Sequence, residues 1–183
     1  MILASASPRR KELLSLVTSH FKIAPADIDE TVEVNESPKE YVCRMAKEKA
    51  QAIQMLYPEE VVIGCDTTVV IDNNILGKPT DTKDATQMLE MLSGSTHEVL
   101  TAVCVITPEK THEHLEVVRV VFYPLDAEDI ETYVKTGEPM DKAGAYGIQG
   151  KASVFVKEIH GDYFSIVGLP VGYLNQLFKQ LGR

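Results

Sequence analysis

Cysteine is scarce in this chain, and its three copies, Cys43, Cys65 and Cys104, are odd in number and form no CxxC pair. That argues against a disulfide framework and a zinc site, and it fits a reducing compartment. No apolar run approaches the roughly 20 residues that a membrane span needs. Met1-Ile2-Leu3-Ala4 has neither the length nor the preceding positive charge of a signal peptide. A cytoplasmic location is therefore expected. Internal repeats, low-complexity tracts and Ser/Gly-rich linkers are also missing, which leads us to expect a single domain over residues 1–183. Nothing matches GxxxxGK[ST], and the Gly-rich segment at 144–150 is not preceded by a strand of the dinucleotide-binding type. Kinase-like and Rossmann readings lose their main support. Basic residues are outnumbered, 18 against 27 acidic ones, for a formal net charge of -9. Such a field repels nucleic acid and acidic membranes, so a polyanion would be held only where positive charge is concentrated. The clearest such place is Arg9-Arg10-Lys11.

What is present reads as an alternation of strands and helices. Ile2-Leu3-Ala4 is a short strand candidate, followed by Ser7 as N-cap, Pro8 at the first helical position, and a helix carrying Leu13, Leu14, Leu16 and Val17. A second helix opens with the capping box of Ser37 and Glu40, runs to about Tyr57, and has Val42, Met45, Ala46, Ile53 and Leu56 as its apolar stripe. β-branched residues from Val61 to Ile71 predict a strand that turns at Asp72-Asn73-Asn74. A helix with Ala85, Met88, Leu89 and Leu92 on one face stops at Gly94. Strands are expected at Val99–Ile106 and Leu115–Tyr123, then a helix from about Asp126 to Thr136. The Gly-rich segment follows, then strands near Val154–Val156 and Phe164–Ile166 and a last helix bearing Leu174, Leu177, Phe178 and Leu181. Hairpin signals beside strand–helix alternation predict an α/β fold with a mixed β-sheet and flanking helices.

Some residues are not explained by folding alone. Lys49 falls near the middle of the second helix's apolar stripe, where Lys47 and Glu48 do not. Either its stem packs on the core while the ammonium reaches water, or the ammonium projects into a cleft to meet an anion. Asp66 interrupts a run of Val, Ile and Thr, although a buried carboxylate needs a partner; a bulge beside Gly64 is the alternative. Ser5-Ala6-Ser7-Pro8-Arg9-Arg10 sets hydroxyls and guanidiniums at a strand-to-helix turn, where free N–H groups already favour an anion. A solvated basic turn is the plainer reading. Gly77-Lys78-Pro79 is a weak signal by itself. Asp27, Asp29 and Glu30 form an acidic patch, either a solvated loop or oxygen ligands for a hard cation. His112-Glu113-His114 lacks a third ligand and is set aside.

Taken together, Leu3–Arg10, Ala46–Ala50, Gly64-Cys65-Asp66-Thr67, Gly77-Lys78-Pro79, Leu92-Ser93-Gly94 and Asp141–Gly150 resemble the Maf family of nucleotide pyrophosphatases, in the family's order and across most of the chain. The resemblance implies an inosine-triphosphatase-like architecture of two lobes around a central cleft. It implies that Ser5, Arg9, Arg10, Lys49, Lys78 and Glu30 line that cleft and that Asp66 accepts a proton in catalysis. The Asp141–Gly150 stretch is similar to the branch acting on dTTP and UTP, with Arg10, Thr67 and Gln149 tied to base choice. Cys65 stands where the family would have alanine, a change of volume but not of charge. The expected reaction splits a pyrimidine nucleoside triphosphate into the monophosphate and pyrophosphate, as house-cleaning of nucleotides or in connection with cell division arrest. Triphosphate chemistry leads us to expect Mg²⁺ or Mn²⁺, with Asp66 and Glu30 as oxygen ligands; Asp66 acts either as base or as metal ligand. A homodimer is an expectation from the family. The competing reading is a nucleotide-sensing regulator of septum formation that binds without turnover, which has no need of a base such as Asp66.

Overall fold

The structure, a computed structural model, describes residues 1–182. Its seven strands form one mixed sheet in the order β2-β1-β3-β5-β6-β7, with β4 paired to β3. β1 (Ile2–Leu3) lies parallel to β2 (Lys22–Ile23) and to β3 (Val62–Ile71), whereas β3 is antiparallel to β4 (Asn74–Leu76). β5 (Thr96–Ile106) and β6 (Thr111–Phe122) are the longest strands, and β7 (Val156–His160) runs antiparallel to β6. The helices are α1 (Pro8–Ser15), α2 (Pro38–Gln54), α3 (Thr82–Leu92), α4 (Ala127–Val134), α5 (Tyr163–Val167) and α6 (Val171–Gln180). Among the described residues, no helix is long and apolar enough to cross a membrane.

The chain divides into two compact units. One comprises Met1–Asp66, Thr101–Glu116 and Gly168–Arg183; the other comprises Thr67–Leu100 and Val117–Val167. In the first, Leu3, Leu14, Met45 and Leu174 are fully buried, and in the second so are Leu89, Leu92, His97 and Phe122.

α2 forms for the reasons its sequence announces. Ser37 accepts from the Glu40 N–H while the Glu40 carboxylate accepts from the Ser37 N–H, and Pro38 occupies the first turn. Val42, Met45, Ala46, Ala50 and Ile53 are its buried face. That face lies against β3 at Gly64, where an added Cβ would sit 2.6 Å from the Ala50 amide nitrogen and 2.8 Å from its Cβ. Only a residue without a side chain permits this approach.

Several expectations need correction. Phe164–Ile166 belongs to α5 and not to a strand, because Asp162 takes the Phe164 and Ser165 N–H groups and the Ser165 hydroxyl and so starts a helical turn. Residues 151–155 form a 3-10 turn, and β7 begins only at Val156. α1 ends at Ser15 and α2 at Gln54, so Leu16 and Leu56, assigned to apolar faces, lie outside the helices and are exposed. The short strand β2 is not among the expected elements, whereas β4 is the return arm of the expected hairpin after Asp66.

Candidate functional site

In the first unit, two clusters of charge stand on elements that meet at β3. The first is the turn between β1 and α1. Ser7 is extended and its hydroxyl accepts from the Arg10 N–H at 3.4 Å, with Pro8 following at the first helical position. The first turn of α1 has no acidic residue, so the positive end of the helix is met by no carboxylate of its own. Ser5 is buried, and its hydroxyl oxygen accepts from the Ser7 N–H and from Arg10 Nη1, each at 3.3 Å. Arg10 Nε donates to the Gly168 carbonyl at 3.0 Å, and the buried Cys65 thiol donates to the same oxygen at 3.1 Å. Arg10 is thus aimed by two anchors, while Arg9 beside it is half-buried. Burial above all pushes the Cys65 thiol up, against the pull of Arg10, so it remains a neutral donor.

The second cluster joins α2, β3 and the segment that precedes α2. Lys49 is buried, and its Nζ donates to Asp66 Oδ1 at 2.7 Å and to Glu30 Oε1 at 2.7 Å. Burial by itself pulls the Lys49 pKa down. The charge of Asp66 and its hydrogen bond, followed by Glu30, outweigh that and leave it above the usual lysine value. Asp66 is buried and lies within β3, so it is a strand residue. Glu30 remains largely exposed, with 55% of its side chain accessible. The Tyr41 hydroxyl donates to the Glu30 carbonyl at 3.1 Å. Its pKa is pushed up to about 12, by burial first and then by the negative charges of Asp66 and Glu30.

Together these groups make an ammonium between two carboxylates, with two guanidiniums at a nearby helix start. Such a set can hold phosphate oxygens through cations and accept a proton at a carboxylate. Two carboxylates are too few for a dedicated metal cage, and among the described residues no group of three or more His, Cys, Asp or Glu is placed to hold an ion. They do fit a hard cation that keeps several waters and shares its ligands with substrate phosphates, as Mg²⁺ does. Asp29 lies in the same segment but accepts from the Thr31 N–H at 2.9 Å, and Asp27 is exposed.

The remaining predicted residues belong to the second unit. Thr67 follows Asp66 on β3 and is half-buried; Lys78 and Gln149 are exposed. Lys78 follows Gly77, whose carbonyl accepts from the Gly144 N–H at 3.0 Å, which ties the Gly77-Lys78-Pro79 turn to the Gly-rich segment. That segment winds through left-handed backbone at Gly144 and Ala145, φ 68° and 58°, and a Cβ on Gly144 would lie 2.8 Å from Val69. Tyr146 anchors it, buried and bonded through its hydroxyl to His97 Nε2 at 2.8 Å. The long glycine signature therefore has a structural basis, and Gln149 is the exposed residue on it.

His112-Glu113-His114 has other employment. Glu113 pairs with Lys47 at 2.8 Å, and His114 stacks on Tyr173 and bonds Glu116. The sequence reading missed Gly168, Tyr41 and Arg44. Gly168 acts through its carbonyl, which no side-chain pattern reveals. Tyr41 and Arg44 had a faint signal: aromatic and basic residues within one turn of α2 whose roles the apolar stripe leaves unassigned.

Comparison with known proteins supplies the remaining findings. A family model described as Maf-like protein matches residues 1–181. The chain is 50% identical over 182 residues to a dTTP/UTP pyrophosphatase of Geobacillus sp. (strain WCH70), covering 100% of this chain and 98% of that one. It is 48% identical over 182 residues to a dTTP/UTP pyrophosphatase of Koribacter versatilis (strain Ellin345), covering 100% of this chain and 94% of that one. Among solved structures, a nucleoside-triphosphatase / dITP/XTP pyrophosphatase from Mycobacterium abscessus is similar at a TM-score of 0.42 and 14% identity, over 69% of this chain and 74% of that one.

Proposed function

This chain belongs to the Maf family, and from that premise we propose that it hydrolyses dTTP and UTP between the α and β phosphates, releasing the nucleoside monophosphate and pyrophosphate. The observation that carries the reading is the Lys49 ammonium held 2.7 Å from both Asp66 and Glu30. A buried lysine fixed by two carboxylates is a pre-organised cation for a developing phosphate charge, and one of its partners is a base in reach of the same anion.

In this mechanism the oxygen of water bonds to phosphorus as the α–β bridging P–O bond breaks, and pyrophosphate leaves. Asp66 takes the proton of the attacking water, while Lys49 orients its carboxylate through the bond to Oδ1. Arg10, aimed by Ser5 and Gly168, and Arg9 beside it hold phosphate oxygens as planar forks. The N–H groups at the start of α1 add partial positive charge. A divalent cation, Mg²⁺ or Mn²⁺, belongs to the proposal, with Glu30 and, in the alternative to its role as base, Asp66 as its oxygen ligands; bound with the nucleotide it would neutralise phosphate charge and make water more acidic. For Lys78, as a further phosphate cation, and for Thr67 and Gln149, as readers of the pyrimidine, the proposal rests on the sequence motifs. A cytoplasmic setting, a homodimer and a link to septum formation complete it.

Product analysis over a panel of nucleoside triphosphates with Mg²⁺ or Mn²⁺ tests the reading. Monophosphate and pyrophosphate from dTTP and UTP, with purine triphosphates poorly cleaved, is the expected result. Release of orthophosphate overturns the reaction, equal rates on ATP and UTP overturn the base preference, and tight binding without turnover points to the regulator instead.

A further inference from the structure

Glu30 presents a physical problem. Residues 24–33 have no regular secondary structure and Glu30 is largely exposed, yet its carboxylate lies 2.7 Å from the Lys49 ammonium. An untied loop would spread that carboxylate over many positions, because each freely rotating residue keeps its conformational entropy. Two side chains within one turn of α2 hold the main chain of this segment. The Tyr41 hydroxyl donates to the Glu30 carbonyl at 3.1 Å, and Arg44 Nη2 donates to the carbonyl of the next residue, Thr31, at 2.9 Å. Arg44 also grips Glu36, the far end of the same segment, by two bonds, Nε to Oε1 at 2.6 Å and Nη2 to Oε2 at 2.7 Å. Its guanidinium lies 5.8 Å from the centre of the Tyr41 ring, within range of a cation–π contact, and Nη1 reaches Glu48 one turn along α2 at 3.4 Å. The Asp29 carboxylate closes the turn from inside by accepting the Thr31 N–H.

We propose that Tyr41 and Arg44 are positioning residues that clamp the backbone of Glu30 and Thr31 to α2 and thereby set the Glu30 carboxylate against Lys49 and Asp66. The inference rests on the reading of Glu30 as part of the site. α2 then does two jobs from one rigid element: Lys49 supplies the cation from its buried face, and Arg44 and Tyr41, about one and two turns earlier, place the carboxylate that meets it. Charge alone does not explain Arg44, because lysine has no planar fork to serve Glu36 and Thr31 together.

The test uses the full chain with Tyr41→Phe, which removes only the hydroxyl, and Arg44→Lys, which keeps the charge, each made alone and in a Glu30→Gln background. Turnover of dTTP at saturating Mn²⁺ and amide hydrogen exchange of residues 29–33 are both measured. In the otherwise unchanged chain, Arg44→Lys is expected to lower kcat about ten- to hundredfold, the scale on which small misplacements act, with Tyr41→Phe in the same direction. Exchange at 29–33 rises in both. In the Glu30→Gln background neither substitution lowers kcat further, although exchange still rises, since the clamp then holds nothing that matters to catalysis. Unchanged exchange in both variants overturns the clamp. An equal loss of kcat with and without Glu30 shows action by another route and overturns the positioning role. If Glu30→Gln alone leaves kcat unchanged, the assignment of Glu30 fails while the exchange data still report on the clamp.

Discussion

Replacing Asp66 by asparagine keeps the shape of the side chain and most of its hydrogen bonds while removing the charge, and with it both roles proposed for the carboxylate. Turnover of dTTP is expected to fall by about 10²–10⁴, the range attributed to a positioned acid–base group. Calorimetric titration with Mn²⁺ separates the roles: loss of a ligand weakens the metal alongside the rate, whereas loss of a base alone does not. Near-normal turnover would remove Asp66 from the chemistry and make Glu30 the first candidate. A second residue, in the second unit, bears on behaviour in acid. His97 is 2% exposed, packed edge-on against Phe122 and Tyr146, and burial lowers its pKa from 6.5 to about 4. The unfolded chain therefore binds a proton at a pH where the folded one does not, and stability is lost as pH falls from about 6.5 through about 4. From pH 7 to pH 5 the loss is about 2 kcal/mol. Urea unfolding at the two pH values measures it, and a His97→Gln variant is expected to show a flatter dependence. An equally steep loss in that variant would assign the acid sensitivity elsewhere.

At the scale of elements, the packing of α2 on β3 is what brings Lys49 and Asp66 together, and at Gly64 the two elements lie too close for a side chain between them. A Gly64→Ala chain has to push them apart, at a cost of about 1–3 kcal/mol typical of overpacking. Thermal unfolding reads the stability change, and kcat is expected to fall with it, because the shift lies between the ammonium and its carboxylate. Retention of full activity would show that the close approach serves packing only. α2 was also the most legible element. Its capping box, its Pro38 and its buried stripe all point the same way, and Lys49 stood out in that stripe because a charge at its centre requires a partner. Asp66 was legible for the same reason on β3. Glu30 was less so: an acidic residue in an aperiodic stretch also reads as solvent-facing loop, the family resemblance singled it out, and its ion pair with Lys49 and the main-chain bonds from Tyr41 and Arg44 distinguish it in the structure. α5 was misread because Phe, Ser and Ile in succession suit a strand, and the deciding feature was Asp162, which caps the turn before them. β2 has two residues, too few to show a period.

At the scale of the whole molecule, a net charge of -9 and a triphosphate substrate pull against each other. The repulsion acts at long range and is screened once the Debye length falls from roughly 30 Å at 0.01 M salt to roughly 8 Å at 0.15 M. Contacts from Arg9, Arg10 and Lys49 act within a few ångströms and are screened far less. Between those two salt concentrations kcat/KM for dTTP is therefore expected to rise or hold level; a steep fall in steady-state assays would mean that the basic turn dominates the distant field. The chain's path has a further consequence. Each compact unit is assembled from separated stretches, and the first is not complete without Gly168 and α6. Arg10 waits for the Gly168 carbonyl, 158 residues further along, and Cys65 for the same oxygen. During synthesis on the ribosome, Ser5, Arg10, Lys49 and Asp66 all emerge long before that acceptor does. A nascent chain arrested before Gly168 has every charged group of the candidate site yet lacks one of the two anchors that aim Arg10, so nucleotide affinity is expected to arise late and abruptly rather than grow with chain length.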